Sequence, residues 1–261
     1  IIREHPFDLA AGTLVLAPVV NIMGFERHSR YLPDRRDLNR CFPGSAHGSL
    51  ASRLAHAFFD GAVKRADYCI DLHTAALRRT NFPKGSLRIS ACKNGCQTLI
   101  LEAGEVWKVE PAVVEYAHRG ISNCLKFLGM IPGKPRRPAY RIETDATSWV
   151  RATQGGFLQF HVTPGDIVDK GQPIATNTNL LGDEQHVLRA PRDGIILGMT
   201  TLPSVSPGDP VCHIAYPTSG VLDKAERAVL KLDEDSLHER VRDDLARSMH
   251  TTEHEEQAET D

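Results

Sequence analysis

Tyr68-Cys69-Ile70-Asp71-Leu72-His73-Thr74 is the stretch on which the fold turns. Tyr68–Leu72 reads as a strand buried in a sheet, with His73 and Thr74 at its end, where a polar side chain can reach a cleft. Upstream, Ser49–Lys64 carries apolar residues at Leu50, Leu54, Phe58 and Val63, a helical spacing. Further back, Thr13–Val20 (TLVLAPVV) is a continuous apolar, largely β-branched run, as expected of a strand covered on both faces. Downstream, Thr98–Leu101 reads as a third strand running into Glu102-Ala103-Gly104. Pro111–Leu128 reads as a second helix, with proline in its first turn and Gly129 closing it. Strands alternating with helices indicate an α/β class, a mixed or parallel sheet flanked by helices. Ligands of such sheets bind outside the carboxyl ends of the strands.

The chain has 261 residues, 41% hydrophobic and 25% charged, with a net charge of −2. That is ordinary for a globular protein with room for two domains. A near-neutral chain lacks the basic face that nucleic acid or a membrane surface would need. Arg27, Arg30, Arg35, Arg36 and Arg40 nevertheless cluster, a pattern that suits a small anion better than a polyanion. The six cysteines show neither a zinc-ribbon nor a thioredoxin spacing, and free thiols in a reducing cytoplasm are expected. There is no transmembrane-length apolar stretch and no signal peptide. The sequence opens Ile1-Ile2-Arg3-Glu4, without Met, in the manner of the middle of a helix. The oligomeric state is not legible, and a homo-oligomer stays open.

The texture changes at Ile131–Ala139 (IPGKPRRPA), which reads as a linker. Between Thr147 and Pro217, short strands alternate with Gly165-Asp166, Lys170-Gly171, Asp193-Gly194 and Gly208-Asp209 turns, an all-β module in which no substantial helix is expected. Three parts follow: 1–134 as a catalytic body, 147–217 as the β module, and 218–261 as a charged, partly helical tail, frayed or disordered at its acidic end.

Three constellations carry chemistry. In Asp71-Leu72-His73-Thr74 a carboxylate stands two residues from a histidine that it can orient. In Arg30 and Arg36-Asp37-Leu38-Asn39-Arg40, guanidinium groups and an amide can hold a carboxylate through paired hydrogen bonds. In Leu101-Glu102-Ala103-Gly104-Glu105, a carboxylate beside an apolar strand can act as a general base.

In that chain order, RYLPDRRDLNRCFPG, IDLHTA, TNFP and LEAGEVWK resemble the succinylglutamate desuccinylase/aspartoacylase family, relatives of the zinc carboxypeptidases. The resemblance runs through residues 10–131 or so and continues into the β module. It implies a zinc-carboxypeptidase-like catalytic domain and the hydrolysis of small anionic N-acyl amino acids, such as N-succinyl or N-acetyl substrates. It also implies a zinc cofactor with His73 among the ligands, Glu102 as the catalytic residue activating the zinc-bound water, and Arg30, Asn39 and Arg40 as substrate-binding residues. Zinc would lower the pKa of its water towards ~7, and Glu102 would pass the proton to the leaving amine. His73, Glu102, Asn39 and Arg40 are expected to converge on one cleft. In the β module, GFLQFHVTPGDIVDKGQPIA and LRAPRDGIILGMTTLPSVSPGDPVCHIA resemble a lipoyl/biotinyl-type barrel-sandwich. The stretch Asn177–Val187 has no lysine, which argues against a swinging-arm carrier. The module is expected to pack against the catalytic domain or shape its cleft.

The sequence departs from the family at one point. The two remaining zinc ligands belong to a His-x-x-Glu motif that does not occur before His73, and His250–Glu253 in the acidic tail reads as coincidence. Either the chain has lost this half-site or the sequence omits it, and the Ile1 start favours omission. About two dozen residues separate the strands around His73 and Thr98, with no helical apolar period, short for a parallel crossover. A second omission is therefore expected near Lys84–Gly85. The alternatives are a metal-free relative that binds a small carboxylate through Arg30, Asn39 and Arg40, and a β-module adaptor.

Overall fold

The computed structural model describes residues 7–75, 85–105, 108–138, 141–144, 146–218, 220–231, 237 and 239–241. Ile1–Glu4, Asn81–Pro83, the Lys84 side of the Lys84–Gly85 join, and His250–Glu253 lie outside the described residues. The chain divides into two units. The first gathers Ile1–Ala75, Arg79–Ala103 and Ala117–Pro135, and the second gathers Ala76–Arg78, Gly104–Tyr116 and Arg136–Asp261.

The first unit is mixed α/β. Its first helix, α1 (Ile22–Glu26), is capped by Asn21, whose side chain accepts the Gly24 N–H at 3.0 Å. Helix α2 (Leu50–Gly61) starts on the side chain of Ser49, which accepts the Ser52 N–H. Its buried stripe is Ala51, Ala55 and Phe59, one step round from the larger Leu50, Leu54 and Phe58 that mark the helix in the sequence. Small alanines let the helix approach Leu32, Leu38, Phe42 and Val63 closely, and these residues form the core of the unit.

Strands β1 (Tyr68–Ala75) and β2 (Gln97–Glu105) pair in a two-stranded sheet. The Gln97 N–H donates to the Asp67 carbonyl at 2.9 Å, so the two strands start side by side and run the same way. Both reach further than the sequence indicates: His73 and Glu102 lie inside their strands, not just past them. Neither is deeply buried, since Tyr68, Leu72 and Leu99 are exposed. The crossover holds a helix that the apolar pattern does not announce, α3 (Leu87–Lys93), started by Ser86, whose side chain accepts the Ile89 N–H. Seven residues are too few to display a helical period, so its cap is a better signal than its pattern. The expectation for Thr13–Val20 is overturned: these residues form no strand, and Val15, Leu16 and Val19 are exposed. A β-branched run becomes a strand when a neighbour pairs with it, and no described strand does so here. Helix α4 (Pro111–Phe127) follows, and the division between the units falls within it.

From Thr147 to Pro217 the second unit has eight strands and no helix. They are β3 (Thr147–Arg151), β4 (Gly156–Phe160), β5 (Ile167–Val168), β6 (Pro173–Thr178), β7 (Glu184–Arg189), β8 (Gly194–Met199), β9 (Ser204–Val205) and β10 (Pro210–Ala215). They form two four-stranded antiparallel sheets, ordered β3-β10-β8-β5 and β7-β6-β4-β9. Leu158, Phe160, Ile174, Ile196, Val211 and Ile214 are among the residues of their shared core. The two Pro-Gly-Asp turns are built alike. Asp166 Oδ2 accepts the Thr163 N–H at 2.7 Å, and Asp209 Oδ2 accepts the Ser206 N–H at 3.0 Å. Helix α5 (Val221–Val229) follows. The six cysteines are free. Among the described residues, no helix is long and apolar enough to cross a membrane.

Candidate functional site

In the first unit, β1 sends Asp71 and His73 to the same face, because side chains two apart on a strand point the same way. Asp71 Oδ2 stands 3.0 Å from His73 Nε2. That contact is the largest cause holding the imidazole pKa above its ordinary value, with the Asp71 and Glu102 charges adding and burial and Arg30 opposing. On β2, crowding by neighbouring atoms raises the Glu102 carboxyl, reinforced by Asp71 and opposed by His73, Arg30 and Arg88. Glu102 keeps an open, solvent-facing side, so its charge remains partly screened. His73, Asp71, Glu102 and Arg30 thus form one electrostatically coupled group.

The loop from Arg30 to Arg40 supplies the cations. Arg30 Nε and Nη2 each lie 2.9 Å from Asp37 Oδ2, and Arg40 Nη1 lies 3.9 Å from the same oxygen. The other oxygen, Asp37 Oδ1, accepts the Asn39 N–H at 2.9 Å and starts the 3₁₀ turn Leu38–Arg40. Asn39 Oδ1 accepts the Leu87 N–H at 2.9 Å, tying this turn to the start of α3. Gly85 permits that approach. It has φ +82°, and a Cβ there would lie 2.3 Å from the Arg40 carbonyl oxygen.

Arg30, Asp37, Asn39, Asp71 and His73 line one cavity of about 1990 Å³, whose remaining wall is mostly apolar. That exceeds the ~300–1,000 Å³ usual for a small-ligand pocket, so the polar residues occupy part of an open groove. Glu102 and Arg40 do not line it; Glu102 couples to His73, and Arg40 to Asp37. Among the described residues, no group of three His, Cys, Asp or Glu side chains stands close enough to hold a metal ion.

Residues 5–93 match the model of the succinylglutamate desuccinylase/aspartoacylase catalytic domain. Over that stretch, about a third of the chain, the sequence is similar to this family. The N-α-acetyl-L-2,4-diaminobutyric acid deacetylase of Halomonas elongata is 24% identical over an alignment of 247 residues, taking in 78% of this chain and 72% of that protein. A succinylglutamate desuccinylase/aspartoacylase from Rhodobacter sphaeroides superposes with a TM-score of 0.64 at 25% identity, over 77% of this chain and 74% of that one. The ectoine utilization protein EutE (DoeB) of Ruegeria pomeroyi, in its product-bound structure, gives 0.66 at 20% identity over the same shares, a likeness of fold.

Two residues of this site escaped the sequence reading. Asp37 sits inside the quoted arginine motif, three residues before Arg40 and seven after Arg30, so it was legible as their shared counter-ion. Arg88 acts on Glu102 from the first turn of α3, and the Ser86 cap was the signal that could have found it.

Proposed function

We propose that the protein is a deacylase that hydrolyses the amide bond of a small N-acyl amino acid. The observation that carries this is the coupling of Glu102 to the Asp71–His73 pair beside the Arg30–Asp37–Arg40 cluster. In this reading the substrate's carboxylate lies against Arg40, Asn39 and Arg30, displacing part of the Asp37 contact. Glu102, with its pKa raised, accepts a proton from the attacking water and delivers it to the leaving nitrogen as the C–N bond breaks. Asp71 holds the His73 ring in one orientation throughout.

Zinc belongs to this reading through His73. A hydrolytic zinc takes three protein donors, and the described residues do not supply such a group. The described residues by themselves therefore do not fit the metal, and the roles above are those of the chain's own side chains. The fold reading that accompanies this function is a carboxypeptidase-like catalytic body and a barrel-sandwich of lipoyl type. The two four-stranded sheets and the lysine-free β6–β7 turn support the second part without a carrier role.

The test is the release of free amine from a panel of N-acetyl and N-succinyl amino acids, N-acetyl-L-2,4-diaminobutyrate among them, by the full-length protein, together with its zinc content. Wild type should turn over at least one member, and Glu102→Gln should lower kcat by about 10² or more with the fold intact. Binding without turnover, in a protein free of zinc, would replace hydrolysis with the carboxylate-binding alternative.

A further inference from the structure

Five arginines crowd the segment from Arg27 to Arg40, and the structure divides them into two sets. Arg30 and Arg40 share Asp37, and Arg36 lies 3.7 Å from Asp34. Arg27 and Arg35 have no acidic partner among the described residues, and both are exposed. These two line one depression of about 430 Å³ with Ser29, Tyr31, Leu32 and Pro33. The depression is separate from the groove that holds His73. Ser29 and Tyr31 line the depression, whereas Arg30 between them lines the groove. The two surfaces share no lining residue.

That loop is firmly held. Leu32 is buried, its N–H donates to the Arg36 carbonyl and its carbonyl accepts the Arg35 N–H, closing a tight turn. Asp34 Oδ2 accepts the Ala51 N–H at 3.0 Å at the start of α2, and Asp34 Oδ1 accepts the Arg36 N–H at 3.3 Å. The turn sets Arg35 at φ +61°, a left-handed conformation that glycine or asparagine would adopt at less cost. An unpaired cation at a strained position on a rigid turn points to a use for its side chain.

We propose that the depression binds an aliphatic dicarboxylate, a second ligand site independent of the hydrolytic reading. Each guanidinium offers a two-pronged donor that matches one carboxylate. Leu32, Pro33 and Tyr31 also line the depression, and an apolar lining suits a short methylene stem more than a compact inorganic anion. Ser29 Oγ accepts the Tyr31 N–H at 3.1 Å, which leaves its own hydroxyl hydrogen to donate.

Titration calorimetry of the full chain with the straight-chain series malonate to adipate, against butyrate and inorganic phosphate, tests the proposal. At least one dicarboxylate should bind about tenfold or more tightly than butyrate or phosphate. Arg27→Ala and Arg35→Gly should each weaken it by about tenfold or more, while Arg40→Ala should leave it unchanged. Arg35→Gly relieves the left-handed strain, so its thermal midpoint should be no lower than wild type, which separates loss of ligand from loss of fold. No binding by any dicarboxylate, equal binding of phosphate, or unaltered binding in both arginine variants would each overturn the proposal.

Discussion

Gly85 shows how much one position can decide. Its φ of +82° and the 2.3 Å that would separate a Cβ from the Arg40 carbonyl leave no room for a side chain against backbone. Gly85→Ala should destabilise the first unit by about 2 kcal/mol. Because Asn39 holds the start of α3 across the same contact, the variant should also weaken anionic substrate binding. Thermal unfolding and a KM measurement check the two effects separately. The thiols give a second residue-scale expectation. Burial pushes Cys69 up to about 11 and Cys212 up to about 12, so both are overwhelmingly protonated near neutral pH. With a disulfide reagent at pH 8, exposed Cys92 should react within the native state. Cys212 should react only as the β module unfolds; mass spectrometry of labelled peptides reads the order.

Strand β10 carries a titrating element into the β module. His213 is buried, and its ring stacks on Trp149 of the paired strand β3 at 4.6 Å with a 7° interplanar angle. Burial lowers the His213 pKa, so the folded state binds its proton less readily than the unfolded chain. The stability this contributes is complete above the unfolded value of ~6.5 and is lost as pH falls through it, down to the lower folded value. The module's unfolding midpoint, followed by Trp149 fluorescence, should therefore drop between pH 8 and pH 5. The drop should be smaller in His213→Phe, which keeps a ring on Trp149 and removes the titration; an equal drop would show that other groups govern acid stability. Element by element, α2 and α4 were legible because a helix satisfies its hydrogen bonds within itself and displays its period locally. Thr13–Val20 misled for the opposite reason, because a strand is defined by a neighbour that the run does not contain.

At the scale of the whole molecule, the second unit draws on Gly104–Tyr116 as well as Arg136–Asp261. Arg240 Nη1 lies 3.0 Å from Glu115 Oε2 within that unit. Between the two stretches runs the exposed, irregular segment Gly133–Pro138, where Lys134 and Arg137 each precede proline and Arg136 does not. Limited trypsin digestion should cut first after Arg136. The two products should then elute together from a sizing column under native conditions and separate in denaturant. Separation without denaturant would show that Gly104–Tyr116 is not held by the rest of its unit.

Local chemistry decided what the sequence could determine by itself: family motifs in order, two long helices, and an all-β region punctuated by Pro-Gly-Asp turns. It also marked Arg30, Asn39, Arg40, His73 and Glu102 as the residues to follow. The tertiary structure decided which charges meet. Asp37 joins Arg30 and Arg40, Asp71 meets His73, and Arg88 reaches the field of Glu102, while Arg27 and Arg35 line a separate depression. The reason is one of range. Helix periods and turn preferences arise between residues a few positions apart, whereas an ion pair or a raised carboxyl pKa depends on distance and burial created when remote segments pack.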